Sequence, residues 1–161
     1  MPDIEYTQET ENQHPVDKAL ICSLSSMSLY ARSIVKNIDV AEGIVQEACR
    51  RILERRQTLL SQDIKSYAMT VVHNLAMDHF RQREFDFDSS EAEDPLVDLE
   101  GHMEASRLLT LLQRVGEECS RVLTLVGLGY KQREIADLLR VAIGTISSTV
   151  SRCRERLEQM R

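Results

Sequence analysis

From residue 20 to 80, and again from 105 to 157, apolar side chains return at steps of three and four residues. That period lines up one stripe of an α-helix and does not suit a strand, whose faces alternate every two residues. Leu20, Leu24, Met27, Ala31 and Ile34 form one stripe, and Ile44, Val45, Ala48, Cys49 and Ile52 a second. Tyr67, Ala68, Val71, Val72, Leu75 and Ala76 form a third, running on to Phe80. Aromatics are only 4% and tryptophan is absent, so Leu, Ile, Val, Ala and Met must fill the core. Six glycines and three prolines leave little punctuation for hairpins. The expected fold is all-α.

Charge divides the chain. Residues 1–17 carry five acids and no bases, and residues 84–104 carry nine acids and no bases. Residues 18–83 and 105–161 each carry ten bases against six acids. The net charge of −6 therefore hides two basic modules. The expected organisation is an acidic tail (1–17), a helical domain (18–83), an acidic linker (84–104) and a second helical domain (105–161). Such a linker either spaces the modules as a solvated, self-repelling segment or competes with a polyanion for them.

Several function classes drop out. No apolar run reaches the roughly 18 residues of a membrane span, and the polar, acidic start "MPDIEYTQETENQHPVD" is no secretory signal. A cytoplasmic location is expected. Cys22, Cys49, Cys119 and Cys153 are far apart and form no C-x-x-C pair, so reduced, semi-buried thiols are expected. The four histidines offer no metal-site spacing with them. No catalytic constellation is visible, and neither enzymatic activity nor a cofactor or metal is expected.

The C-terminal module reads as helices near 104–115, 117–128, 131–140 and 144–160. Ile146, Val150, Cys153 and Leu157 make one apolar seam on the last helix, with Thr145 as an N-cap or first-turn residue. Small Ala136 permits a close crossing with the helix before it. This is helix-turn-helix patterning. Ser147, Ser148, Ser151, Arg152, Arg154 and Glu155 then face outward; short hydroxyls let a helix approach a DNA groove, and arginines take phosphates.

Two stretches of the N-terminal module, "DVAEGIVQEACRRIL" and "DIKSYAMTVVHNLAMDHFRQR", resemble region 2 of bacterial sigma factors of the extracytoplasmic-function (ECF) group. "GEECSRVLTLVGLGYKQREIADLLRVAIGTISSTVSRCRERL" resembles sigma region 4. Gly43, Cys49, Gly116, Arg140 and Ser147 depart from the family's usual residues; the resemblance implies a turn glycine at Arg140, a cost of about 1 kcal/mol if that position is left-handed. The resemblance implies two helical domains that direct core RNA polymerase to a promoter. It places Asp39, Glu42, Val45, Gln46, Glu47, Arg50 and Arg51 against the polymerase. Ser61, Gln62, Asp63, Lys65, Tyr67, Asn74, Asp78, Arg81 and Arg83 fall at the −10 element, where strands are melted. Lys131, Gln132, Thr145, Ser147, Ser148, Ser151, Arg152 and Arg154 fall at the −35 element. Implied partners are the beta and beta-prime subunits of core polymerase, promoter DNA, and an anti-sigma or membrane signalling regulator. "VVHNLAMDHFRQR" is similar to the iron-starvation subgroup. The alternative is a stand-alone helix-turn-helix regulator using residues 18–83 to dimerise.

Overall fold

The first turn of α1 (Pro15–Ile34) is built by two adjacent residues. The His14 ring accepts a hydrogen bond from the Val16 N–H at 3.2 Å, and Pro15 needs no N–H partner at that position. The computed structural model describes residues 13–85 and 103–160, so the tail over 1–12 and the linker over 86–102 lie outside the described residues. Residues 15–17, read as tail, are helical. Val16 is 1% exposed, and Asp17 pairs with Arg56 at 3.1 Å.

Helix α2 (Ile38–Glu54) takes Asn37 as its N-cap. Asn37 Oδ1 accepts from the Val40 N–H at 3.2 Å, and Asp39 lies in the first turn, where its charge suits the helix dipole. A 3₁₀ turn (Ser61–Asp63) leads into α3 (Ile64–Phe85). Met27, Tyr30, Ile52, Ile64, Ala68, Met69 and Val72 are buried where α1, α2 and α3 meet. Burying each such large apolar side chain contributes about 1.5–3 kcal/mol. Leu24 departs from its expected stripe: it is 38% exposed, beside exposed Ile21. Tyr30 is fully buried, and its hydroxyl is satisfied by His73 Nδ1 at 2.8 Å.

The second module is α4 (Met103–Val115), α5 (Glu117–Gly127), α6 (Gln132–Leu139) and α7 (Ile143–Gln159). Ile135, Ala136, Ile146 and Val150 form the shared core of α6 and α7. Arg140 does adopt the left-handed conformation, at φ 56°. That turn lets the Val141 N–H reach back to the Ala136 carbonyl at 3.0 Å. Thr145 does not cap α7; Ala142 precedes the helix, and Thr145 lies in its first turn with its N–H on the Ala142 carbonyl.

The expectation of four reduced thiols fails at one pair. Cys119 and Cys153 are joined by a disulfide with their Cα atoms 5.4 Å apart, while Cys22 is exposed and free and Cys49 half-buried and free. Spacing hid the pair, because 34 residues separate two sulfurs that helix packing brings together.

The two modules pack on each other. Helix α5 lies against α1 and α6 touches α3, so that Val122, Leu125, Tyr130, Ile135 and Ile146 continue the core begun by Tyr30 and Met69. The seam is partly polar. Ser120 Oγ donates to the Ser33 carbonyl at 3.3 Å, and Arg121 Nη1 reaches Met77 Sδ at 3.6 Å.

Candidate polymerase and nucleic-acid interfaces

The outer face of α2 gathers the first set of expected residues. Asp39, Glu42, Gln46, Arg50 and Arg51 are exposed, while Val45 and Glu47 are half-buried. Spacings of three and four along one helix bring acid and base together. Glu47 Oε1 pairs with Arg50 Nη2 at 2.7 Å and with Arg51 Nε at 2.9 Å, and Arg50 also pairs with Glu54. The two arginine hydrogen bonds hold the Glu47 carboxyl down at about 2. Its partner Arg50 is shifted upward by the same contact. At this exposure the pairs add little stability. What they supply is a fixed, alternating pattern of charge.

The second set follows the 3₁₀ turn into α3. Ser61, Gln62 and Asp63 are all exposed at the turn. Tyr67, Asn74, Asp78 and Arg81 are spaced by seven, four and three residues, which puts them on one stripe of α3. The Tyr67 hydroxyl accepts from Arg55 Nη1 at 3.2 Å, and Arg81 pairs with Asp78 at 3.4 Å. Asn74 is exposed about 14 Å along the helix from Lys65. The turn and Asn74 therefore mark two ends of a surface. Arg83 lies in α3 with its side chain outside the described residues.

Asn74 stands on a ridge between two grooves. One groove, of about 320 Å³, runs between α2 and α3 and is lined by Arg51, Glu54, Arg55, Tyr67, Thr70 and Val71 besides Asn74. The other, of about 220 Å³, lies between α3 and α6 and is lined by Tyr130, Glu134, Asp137 and Arg140 besides Asn74. So α6 presents two carboxylates beside the helix face assigned to DNA.

Lys65 is already engaged. Its ammonium lies 4.9 Å from the centre of the Tyr130 ring, and its carbonyl accepts from the Tyr130 hydroxyl at 3.3 Å. Burial, with Glu134 nearby, pushes the Tyr130 hydroxyl up to about 12. Sequence spacing gives Tyr130 no role. Its aromatic ring in a chain so poor in aromatics was the available signal.

The third set lies on and before α7. Thr145, Ser147, Ser148, Ser151, Arg152 and Arg154 are exposed, as are Lys131 and Gln132 at the start of α6. Glu134 accepts from the Lys131 N–H at 2.7 Å. The Ser147 hydroxyl donates to Gln132 Oε1, linking α7 to α6, and Ser148 Oγ donates to the Gly144 carbonyl at 3.0 Å. Arg152 reaches Glu118 on α5 at 3.3 Å. Sequence spacing had suggested no role for Glu118 beyond its helix terminus.

Residues 28–85 match the family model for sigma-70 region 2. The chain is 27% identical over 149 residues to the ECF RNA polymerase sigma factor EcfG of Rhodopseudomonas palustris (strain TIE-1), covering 88% of this chain and 82% of that protein. Among solved structures, its fold is similar to the sigma factor RpoE of Bartonella quintana, solved in complex with the anti-sigma factor NepR. That likeness has a TM-score of 0.74 at 23% identity, over 89% of this chain and 94% of the other.

Proposed function

We infer that this chain is a sigma factor of the ECF type, which binds core RNA polymerase and directs promoter recognition, melting and initiation. The region 2 match carries this reading, because residues 28–85 contain the whole of α2 and α3 with both of their polar faces. A stand-alone DNA-binding module has no need of the charge pattern on α2.

The roles follow from chemistry. Fixed charges at Glu47, Arg50 and Arg51 suit docking on a charged helical surface of the beta-prime subunit, with Asp39, Glu42, Val45 and Gln46 at its edge. Capture of an unstacked base needs short hydrogen-bonding side chains beside cations for the phosphates. Ser61, Gln62, Asp63 and Asn74 supply the first, Lys65 and Arg81 the second. On α7, Ser147 and Ser148 lie in the early turns best placed for base edges, and Arg152 and Arg154 further along for phosphate. The beta subunit is the expected seat of the C-terminal module.

With α6 flanking Asn74 and Tyr130 in contact with Lys65, opening of the two modules would widen access to both residues. Separation of the two modules is therefore part of the proposed cycle, with core polymerase and promoter favouring the separated form. A binding partner that grips both modules together would oppose initiation, which is the behaviour expected of an anti-sigma regulator. The polymerase would supply all catalytic chemistry, and the chain itself none. A cytoplasmic location follows from that partnership; no described helix is long and apolar enough to cross a membrane. The iron-starvation subgroup reading rests on "VVHNLAMDHFRQR" alone, and induction under iron limitation tests it.

Run-off transcription with purified core polymerase on genomic fragments, with start sites mapped, tests the function. Defined starts that depend on the added chain are expected. Transcripts unchanged by its addition would contradict it.

A further inference from the structure

We propose that Cys119 and Cys153 are a reversible redox pair, closed by a peroxide or a small disulfide, which staples the helix-turn-helix in its folded form. The placement is specific. Cys119 lies in the first turn of α5 and Cys153 midway along α7. Between them run the rest of α5, all of α6, the Arg140 turn and the first half of α7. The link thus closes a loop around the whole DNA-reading unit, and its separation of 34 residues is long enough to restrict an unfolded chain strongly.

The pair also has a small apolar cluster of its own. Cys119 and Cys153 form a small cluster with Val115, Leu123 and Leu157, apart from the main core that holds Ile135, Ile146 and Val150. Beside the sulfurs, Glu118 and Arg152, the residue before each cysteine, meet at 3.3 Å. At 62% and 52% side-chain exposure that ion pair holds little by itself. The disulfide therefore adds a covalent tie between α5 and α7 to the apolar contacts of that cluster.

Closure needs two electrons removed. With hydrogen peroxide, one thiolate sulfur attacks an oxygen, the O–O bond breaks, and water leaves behind a sulfenic acid. The second thiolate attacks that sulfur, the S–S bond forms, and a second water leaves. Two thiols and one peroxide give one disulfide and two waters. With a small disulfide, exchange through a mixed disulfide releases two small thiols. Both cysteines are almost completely buried, so attack waits on a local opening of α4 or of the α7 end. Reversibility rests on the cytoplasmic reading above, since that compartment returns accessible disulfides to thiols.

The experiment needs no polymerase, so its failure is distinct from failure of the sigma reading. The full chain in a Cys22→Ser, Cys49→Ser background is treated with hydrogen peroxide, with oxidised glutathione, or with dithiothreitol. Free thiols are trapped with a maleimide and counted by mass. The expected result is two thiols per chain after dithiothreitol, none after either oxidant, a monomeric mass, and recovery on reduction. The oxidised chain should melt roughly 5–10 °C higher than the reduced one. Cys119→Ala and Cys153→Ala should remove that response. Should either variant fail to fold, the comparison of the two redox forms of the background chain stands by itself. Thiols that survive both oxidants in the native chain, intermolecular linkage, or equal melting of the two forms would each overturn the proposal.

Discussion

Lys65 and Tyr130 hold each other twice: the ammonium lies 4.9 Å from the ring centre, and the phenol donates to the lysine's own carbonyl at 3.3 Å. One residue begins the helix assigned to the −10 strand, and the other begins the helix-turn-helix. Their contact latches the modules together. Lys65 is also the cation proposed above for a DNA phosphate.

Tyr130→Phe should loosen the latch without emptying the site. Losing the hydroxyl's hydrogen bond costs about 1 kcal/mol, a factor of about five in the ratio of closed to open chains. Tyr130→Ala removes the ring as well and should open the chain further. Small-angle scattering should record a larger radius of gyration in the order wild type, Phe, Ala. Identical radii for all three would mean that this contact does not govern the packing.

Acid should weaken the fold at His73. Burial is the main cause of its lowered pKa, and Arg121 and Arg140 add to it. An unfolded imidazole takes up its proton near 6.5, before the folded one does. The unfolded state then binds more protons, so stability is full above that value and falls as pH drops toward the folded pKa. The urea midpoint should be flat from about pH 7 to 8 and decline from about 6.5 to 5, with His73→Gln flattening part of the decline. A variant that declines as steeply as the wild type would remove His73 from the explanation.

The α2 face should dock on core polymerase with little pH dependence, because Glu47 titrates only at about 2. Glu47→Gln should weaken core binding severalfold while the melting temperature stays close to wild type. A titration with labelled core checks this, and unchanged affinity would move the contact elsewhere.

Arg152 is expected to serve phosphate, and Glu118 competes for it. Arg152→Ala should reduce promoter binding about evenly across sequences and lower the salt slope by roughly one. Glu118→Ala should do the reverse, raising non-specific affinity at low salt. Ser148 replaced by a bulky residue should instead change which −35 sequences are selected. A selection showing altered preference for the Arg152 variant, but not for Ser148, would exchange these roles.

Much of this was legible in the chain because helical periodicity is local. Met27, Ala48 and Val72 at the centres of their stripes, and Ile146, Val150 and Cys153 on the last helix, are buried as their spacing implied. The left-handed Arg140 was raised only by the family resemblance, which implies a turn glycine at that position. Long-range contacts were not legible. Tyr130 on Lys65 and Ser120 on Ser33 join the two modules, and Cys119 with Cys153 joins α5 to α7 within the second; all depend on how helices distant in sequence are assembled, and no spacing rule encodes that. Leu24 was misassigned for a related reason: neighbouring helices cover only part of the α1 stripe.

The most direct test is equilibrium binding of the full chain to core RNA polymerase in the absence of DNA. A sigma factor should form a one-to-one complex with core that competes with another sigma factor. Tyr130→Ala should bind more tightly, because less of the chain is held closed. A chain that binds promoter DNA alone and shows no affinity for core would be a stand-alone regulator, and the sigma assignment would fall.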